Sequence, residues 1–341
     1  MERPGAVDRH RLGYAAHPLP GSEDVSYDPM YDLIPAMFAH TVSGYAADGH
    51  ASGEDWIDDL PGLIGALLRE WELEPVGRPS SGACAVAIPV RLLGPGRDVV
   101  GVSGEGILKI TWPHPEAATE HLALQGWNGH GAVRLVRADP SRFALLLERL
   151  DPGDLTGVDI DEACAVIGDL LGLLRRPAHP RVPTLAAYAV RKSEQLREAP
   201  AVLPRRYLDQ AAALATELLE RGAAEERLLH TDLHYDNVLR AHRAPWLAID
   251  PKPMAGDVAF EVAPALWNRA DELGTGSEVR WSLRRRLEII CERAGIDEGR
   301  ARAWTIVREA DNALEAARSG PEASAHDRVS LAVTIIKAMN D

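Results

Sequence analysis

Between His230 and Asp250 the chain reads HTDLHYDNVLRAHRAPWLAID, and three side chains of this run could share one reaction. The carboxylate of Asp232 can accept the proton of an attacking hydroxyl. In the same loop, the amide oxygen of Asn237 can ligate a magnesium ion that bridges nucleotide phosphates. Asp250 offers a second hard oxygen ligand, suited to a small octahedral cation that dehydrates reluctantly. A base and two metal ligands are the parts that phosphoryl transfer to a hydroxyl requires. The alternation of His230, Asp232, His234 and Asp236 also fits the polar face of a strand or a His/Asp transition-metal cluster, but either leaves Asn237 and Asp250 without a role.

For Asp250 to return to Asn237 the intervening chain must fold back. Val238 and Leu239, then Trp246, Leu247, Ala248 and Ile249, read as two short buried strands joined by a turn at His242 to Pro245. Set against the kinase catalytic-loop pattern HRDLxxxN, HTDLHYDN matches at His230, Asp232, Leu233 and Asn237 and departs at Thr231. Asp250 then stands where that pattern has the aspartate of DFG.

Upstream, further parts follow in the same order. The chain holds four lysines against 33 arginines, and Lys109 ends an apolar strand in GILKI. There a compact ammonium fits against phosphate oxygens where a planar guanidinium does not, as in the lysine of VAIK. The bland alternative is a strand-end lysine facing water. The segment PEAATEHLALQGW reads as a helix with Pro115 near its first turn, and places Glu120 to pair with Lys109; Glu116, or a solvated Glu120, are the alternatives. The apolar run Phe143 to Leu147 leads into Glu148, Arg149 and Leu150, whose backbone groups are candidates for the adenine edge. No GxGxxG and no Walker A pattern occurs. Ser80, Ser81 and Gly82, at a turn before an alternating strand, are the candidate phosphate cradle, with an ordinary serine-glycine hairpin turn as the alternative.

HTDLHYDN, the following WLAIDPKPMAGDVAFEVAPALWNR, and the upstream LKI, WNGHGAVRLV and LLLERL together resemble the bacterial aminoglycoside phosphotransferases of the streptomycin 6-kinase and hydroxyurea phosphotransferase group. The resemblance runs from about Tyr31 to the C-terminus. Residues 1–30, rich in Pro, Gly, Asp and His without a sustained apolar period, are expected to form a flexible tail. The resemblance implies an α+β, two-lobed, protein-kinase-like fold: a small β-rich N-lobe over residues 31–150 and a larger, mainly helical C-lobe over 151–341. It further implies magnesium-dependent transfer of the γ-phosphate of ATP, or of GTP, to a small-molecule hydroxyl. By position, Asp232 matches the catalytic aspartate, Asn237 and Asp250 the metal ligands, Lys109 the phosphate lysine and Glu120 its partner. Thr231 stands where the wider family usually has glycine, and the glycine-rich GPGRDVVGVSGEG precedes Lys109 as an insertion.

Acceptor recognition is expected from the chain around and beyond the catalytic loop. Asp236, Glu261, Trp267, Asn268, Asp271 and Glu272 are the candidates, since carboxylates pair with ammonium or guanidinium groups and an aromatic face receives a cation. For the last five, an ordinary core or helix-surface role is the alternative. Lys252 either reaches the transferred phosphate or is a loop lysine between two prolines. Asp257 is expected to brace the catalytic loop through its backbone amides, as the GD element does in the resemblance.

The rest of the chain sets limits. A net charge of −14 disfavours nucleic acid and favours a cationic acceptor. No apolar run is long enough to span a membrane and the first residues lack a signal peptide's apolar stretch, so a cytoplasmic protein is expected, as a monomer or homodimer. Cys84, Cys164 and Cys291 are odd in number and not at ligand spacing, which reads as reduced and buried. Helical spacing predicts an amphipathic helix over 54–71 interrupted by Pro61, and others near 159–176, 184–198, 204–221, 257–270, 278–294, 297–317 and 323–339. Arg284, Arg285 and Arg286 read as a solvated helix face. A protein kinase is disfavoured by the lack of an APE element after Asp250, and a pseudokinase by the presence of Lys109, Asp232, Asn237 and Asp250.

Overall fold

A computed structural model describes residues 33–47, 51–94, 104–220, 227–318 and 323–340. The expected N-terminal tail and most of the glycine-rich insertion before Lys109 lie outside these residues. The chain divides into two compact units. The smaller runs to Pro152 and takes in Arg240–Pro245; the larger holds Gly153–Leu239 and the chain from Trp246 onward.

In the smaller unit, helices α1 (Ala36–Ser43) and α2 (Gly53–Glu70) precede six strands: β1 (Leu73–Pro75), β2 (Ser80–Ser81), β3 (Ala85–Leu92), β4 (Glu105–Thr111), β5 (Leu135–Asp139) and β6 (Ala144–Glu148). The sheet is antiparallel in the order β1-β3-β4-β6-β5, with β2 hydrogen-bonded to β3. Alternation along each strand sends Val86, Ile88 and Val90 of β3, Leu108 and Ile110 of β4 and Leu146 of β6 into one core with Trp56, Leu60, Ile64 and Leu67 of α2. Lys109, between Leu108 and Ile110, must therefore leave β4 on the opposite face. Helix α3 (Glu120–Trp127) follows β4 after one 3-10 turn.

Helix α2 is capped by Ser52, whose hydroxyl accepts from the Asp55 N–H at 3.2 Å, and runs unbroken through Pro61. The interruption expected there does not occur. Leu60, Ile64 and Leu67 bury one stripe in the core, and that packing carries the helix past the missing proline donor.

The larger unit is helical: α4 (Ile160–Leu173), α5 (Leu185–Glu198), α6 (Arg205–Glu220), α7 (Ala263–Trp267), α8 (Ser277–Ala294), α9 (Glu298–Arg318) and α10 (Ala323–Asn340). Helix α9 is central, with Trp304, Val307, Ala310 and Leu314 buried and Arg308, Glu309 and Asp311 buried beside them. Two sequence expectations fail here. The helix over 257–270 is three short pieces, a 3-10 turn at Val258–Val262, then α7, then a 3-10 turn at Ala270–Leu273, because Asn268 leaves the helical region and Arg269 is left-handed at φ 52°. The arginine cluster on α8 is not a solvated face either: Arg286 is buried and donates to the Asn268 and Arg269 carbonyls, both at 2.9 Å, satisfying the backbone that the break leaves open.

Two small antiparallel pairs interrupt the helices. Strand β7 (Arg227–Leu229) pairs with β10 (Met254–Gly256), and β8 (Val238–Arg240) with β9 (Trp246–Ala248). The first pair closes an excursion of the chain from His230 to Pro253, inside which the second forms the hairpin expected from sequence.

Candidate active site

All three residues singled out first lie within that excursion, and backbone bonds stitch its two ends together. The Lys252 N–H donates to the His230 carbonyl at 3.0 Å, and the Ile249 N–H to the Asn237 carbonyl at 2.9 Å. His230 Nε2 faces the Ile249 carbonyl at 2.9 Å and its Nδ1 faces the Asp232 N–H at 3.3 Å, so the proton sits on Nε2. Burial holds this imidazole down to about 4, and it is a neutral strut between the two halves of the loop. It is unavailable as a metal ligand. Among the described residues no three His, Cys, Asp or Glu side chains are grouped to hold a metal, so the transition-metal alternative drops out.

Asn237 is fully buried, and its amide orientation is fixed from within. Nδ2 donates to the Asp232 carbonyl at 2.9 Å and to His234 Nε2 at 3.1 Å, which uses both hydrogens. His234, accepting at Nε2, carries its proton on Nδ1 and donates it to Asp236 Oδ2 at 3.1 Å. Asn237 Oδ1 is left buried with no hydrogen-bond partner. An orphaned amide oxygen is costly unless something binds it. A hard cation is the fitting occupant, and Asp250 directly follows Ile249, which is bonded to the Asn237 backbone.

Asp232, in the middle of the loop, is nearly enclosed, and Lys252 places Nζ 3.0 Å from its Oδ2. Thr231 beside it is left-handed at φ 60°, a strained conformation for a β-branched residue. Two bonds hold it: its hydroxyl donates to the Lys252 carbonyl at 2.5 Å, and its N–H to Glu261 Oε1 at 3.1 Å. Glycine, usual in the wider family at this position, would meet the same φ without strain.

Glu261, a candidate for the acceptor pocket with a core role as the alternative, is buried and braces the loop by accepting the Thr231 N–H. The bracing expected of Asp257 belongs to Glu261. Asp257 caps its own 3-10 turn through the Ala259 N–H at 3.0 Å and binds Arg300 Nε and Trp304 Nε1 of α9, both at 2.9 Å. Enclosure pushes Glu261 up to about 7, against the pull of the loop N–H bonds and of Arg308.

The other acceptor candidates separate as follows. Asn268 Nδ2 donates to Asp236 Oδ2 at 3.0 Å, so these two meet next to His234. Burial opposes ionisation of Asp236, yet its bonds to His234 and Asn268 hold it below the usual carboxylate range. Trp267 is buried, and the cation over its ring is Arg308 of this chain, 4.7 Å from the centroid. The aromatic face expected for an acceptor is thus already covered. Glu272 is exposed and paired with Arg269 at 2.6 Å, and Asp271 is exposed.

In the smaller unit Lys109 Nζ meets Glu120 Oε1 at 2.7 Å, with both side chains almost wholly enclosed. Glu120 opens α3, so strand and helix are locked by one buried ion pair; neither Glu116 nor solvent is its partner. Gly82 N–H donates to the Ala85 carbonyl at 2.9 Å, and Ser80 and Ser81 pair with Ala87 and Val86, which makes this segment a tight hairpin turn. Glu148 ends β6 with its N–H bonded to the Arg134 carbonyl at 3.0 Å, so its amide is committed to the sheet; Arg149 and Leu150 lie beyond the strand, Arg149 paired with Glu105 at 2.6 Å.

Sequence reasoning passed over Arg243. Its guanidinium spans Glu148, the Gly129 carbonyl at 2.5 Å and the Ala132 carbonyl at 2.7 Å, fixing the end of β6 against the turn after α3. Nothing in a turn sequence marks such a residue. His234 was seen only as part of an alternation, although its ring orients both Asn237 and Asp236.

The fold is the protein-kinase-like one. A thermostable mutant of the aminoglycoside phosphotransferase APH(4)-Ia, solved as a ternary complex with ADP and hygromycin B, aligns with a TM-score of 0.55 at 14% identity, over 81% of this chain and 98% of that one. Choline kinase from Cryptosporidium parvum Iowa II aligns at 0.53 and 11% identity, over 81% and 95%. Fold and site together define an ATP-dependent phosphotransferase with a hydroxyl group as acceptor. The chain belongs to the aminoglycoside/hydroxyurea antibiotic resistance kinase family, whose model matches residues 70–320. It is 38% identical to a streptomycin 6-kinase of Streptomyces glaucescens over 280 residues, 80% of this chain and 88% of that protein. It is also 38% identical to a hydroxyurea phosphotransferase of Kitasatospora aureofaciens over 315 residues, 89% and 86%.

Proposed function

We propose that this protein transfers the γ-phosphate of ATP to a ring hydroxyl of a cationic, polyhydroxylated aminoglycoside of the streptomycin type, and does so in the cytoplasm. The observation that carries the chemistry is the catalytic loop itself: a carboxylate at Asp232 beside an asparagine whose buried oxygen lacks a protein partner. The acceptor hydroxyl gives its proton to Asp232 as its oxygen bonds to the γ-phosphorus, the bond from that phosphorus to the β–γ bridging oxygen breaks, and ADP leaves. Asn237 and Asp250 would hold magnesium, which when bound neutralises charge on the phosphate oxygens. Lys109, aimed by Glu120, binds phosphate; the backbone at Glu148 to Leu150, apart from the Glu148 N–H that the sheet already takes, meets the adenine edge, and the Ser80 to Gly82 turn covers the phosphates. Asp236, held by His234 and Asn268, is the carboxylate offered to a cationic acceptor. The likeness to streptomycin 6-kinases and the net charge of −14 both favour that acceptor.

A second reading, phosphorylation of hydroxyurea or of an endogenous sugar or other small metabolite, draws on the equal identity to a hydroxyurea phosphotransferase. Purified protein incubated with ATP and magnesium against streptomycin, other aminoglycosides, hydroxyurea and hexosamines separates the two. Streptomycin-dependent nucleotide consumption with a phosphorylated product, absent in Asp232→Asn, is the expected result. Turnover of hydroxyurea or a neutral sugar with no aminoglycoside turned over would leave only the second reading standing.

A further inference from the structure

Lys252 is one of four lysines in a chain of 33 arginines, and its ammonium rests on the carboxylate that must accept the acceptor's proton, 3.0 Å from Asp232 Oδ2. The lysine side chain is 18% exposed and that of Asp232 6%. The position of Lys252 in the loop does not depend on this contact. Its N–H is bonded to the His230 carbonyl, its carbonyl receives the Thr231 hydroxyl, and Pro251 and Pro253 flank it with fixed φ. Backbone and side chain therefore have separable roles.

An ammonium takes one carboxylate oxygen as a point charge, where a guanidinium fork tends to take both. At this position a fork would compete with the acceptor hydroxyl for Asp232. In a protein that otherwise meets its need for positive charge with arginine, a lysine here preserves access to the base. The charges then change in sequence during transfer. As the acceptor proton reaches Asp232, the negative charge that holds Lys252 is cancelled. At the same moment the phosphoryl group, with its anionic oxygens, is bonding to the acceptor oxygen that Asp232 has just deprotonated.

We infer that Lys252 is a catalytic residue that passes its ammonium from Asp232 to the oxygens of the phosphoryl group as that group moves to the acceptor. The inference rests on the kinase reading given above. No atom is gained or lost at Lys252: the proton goes from acceptor to Asp232, the γ-phosphoryl group from ATP to acceptor with ADP as the leaving group, and the ammonium changes only its partner.

The test uses the full chain with ATP, magnesium and whichever acceptor of the panel the wild-type protein turns over. Lys252→Ala is expected to lower kcat by about 100-fold while KM for both substrates stays within about threefold, because the contact strengthens in the transition state. Ethylammonium added to Lys252→Ala should restore kcat by about tenfold in a dose-dependent way, and Lys252→Arg should keep less than about a tenth of wild-type kcat. Lys252→Met, which keeps the apolar stem, must show the same kcat loss at wild-type Tm, which guards against misfolding of the alanine variant. A kcat within about threefold of wild type in Lys252→Met, or a loss in Lys252→Ala that no alkylammonium relieves, overturns the inference and leaves the kinase reading intact. Wild-type protein that phosphorylates nothing in the panel overturns both.

Discussion

The residues closest to the chemistry are held by partners that carry their own physical costs, and two of those costs can be measured. Glu261 is pushed up to about 7 from an ordinary 4.5, so the stability linked to its protonated form is fully present below about pH 4.5 and is lost as pH rises through 7. Glu261→Gln keeps an oxygen for the Thr231 N–H and removes the titration. Urea unfolding should show the variant gaining on wild type between pH 5 and pH 8, by something on the order of 1–3 kcal/mol. A difference that stays flat with pH would show that Glu261 does not titrate in this window. Thr231 gives the second case. Thr231→Ala loses the hydroxyl bond and keeps the strain at φ 60°, whereas Thr231→Gly loses both. The alanine variant should therefore be the less stable of the two by about 1 kcal/mol. The reverse order in thermal unfolding would mean that the left-handed conformation costs nothing.

At the scale of elements, the buried pair between β4 and α3 tests how the smaller unit is set. Lys109→Arg should lose most activity although charge is kept, because the enclosed site fits an ammonium, and Glu120→Gln should be milder. In a double-mutant cycle the losses should be non-additive by about 1 kcal/mol or more; strict additivity would mean that the contact carries no energy. The elements also show what a sequence can reveal. The catalytic loop and its hairpin were legible because their geometry is local: eight residues fix the positions of Asp232 and Asn237, and two apolar runs around a turn return Asp250. Lys109 and Glu120 were legible because strand and helix periods each leave few polar positions pointing one way. That Glu261 rather than Asp257 bonds the Thr231 N–H was not legible, because both are carboxylates in the chain after Asp250 and only the packing of α9 decides which one Arg300 and Trp304 take. Arg243, Arg286 and Arg308 were illegible for the same reason. Each is a long side chain whose partners lie far away in sequence, and burial of an arginine is set by the backbone breaks and rings that tertiary packing puts beside it.

For the whole molecule the relevant quantity is its charge. With −14 spread over 341 residues, the field around the protein attracts a polycation before any contact forms. Raising ionic strength, within the range where Tm is constant, should raise KM for streptomycin severalfold while changing kcat little, because the Debye length shrinks from about 10 Å at 0.1 M to about 3 Å at 1 M. KM for hydroxyurea, which is neutral, should stay within about twofold across the same series. Equal salt dependence for the two would detach acceptor capture from the acidic surface.

The pairing of β7 with β10 carries a consequence for motion. Because that pair and the His230, Asn237 and Ile249 bonds close one excursion, Asp232 and the return to Asp250 are expected to open together, as a single cooperative unit. In native-state hydrogen exchange the amides of Thr231, Asn237, Ile249 and Lys252 should share one protection free energy and one denaturant slope. If Ile249 and Lys252 exchange much earlier than Thr231 and Asn237, the two halves open separately. With a shared opening, thermal fluctuation makes the site wholly present or wholly absent at each instant, and activity lost near the unfolding transition should vanish without passing through a form that binds nucleotide but cannot transfer phosphate.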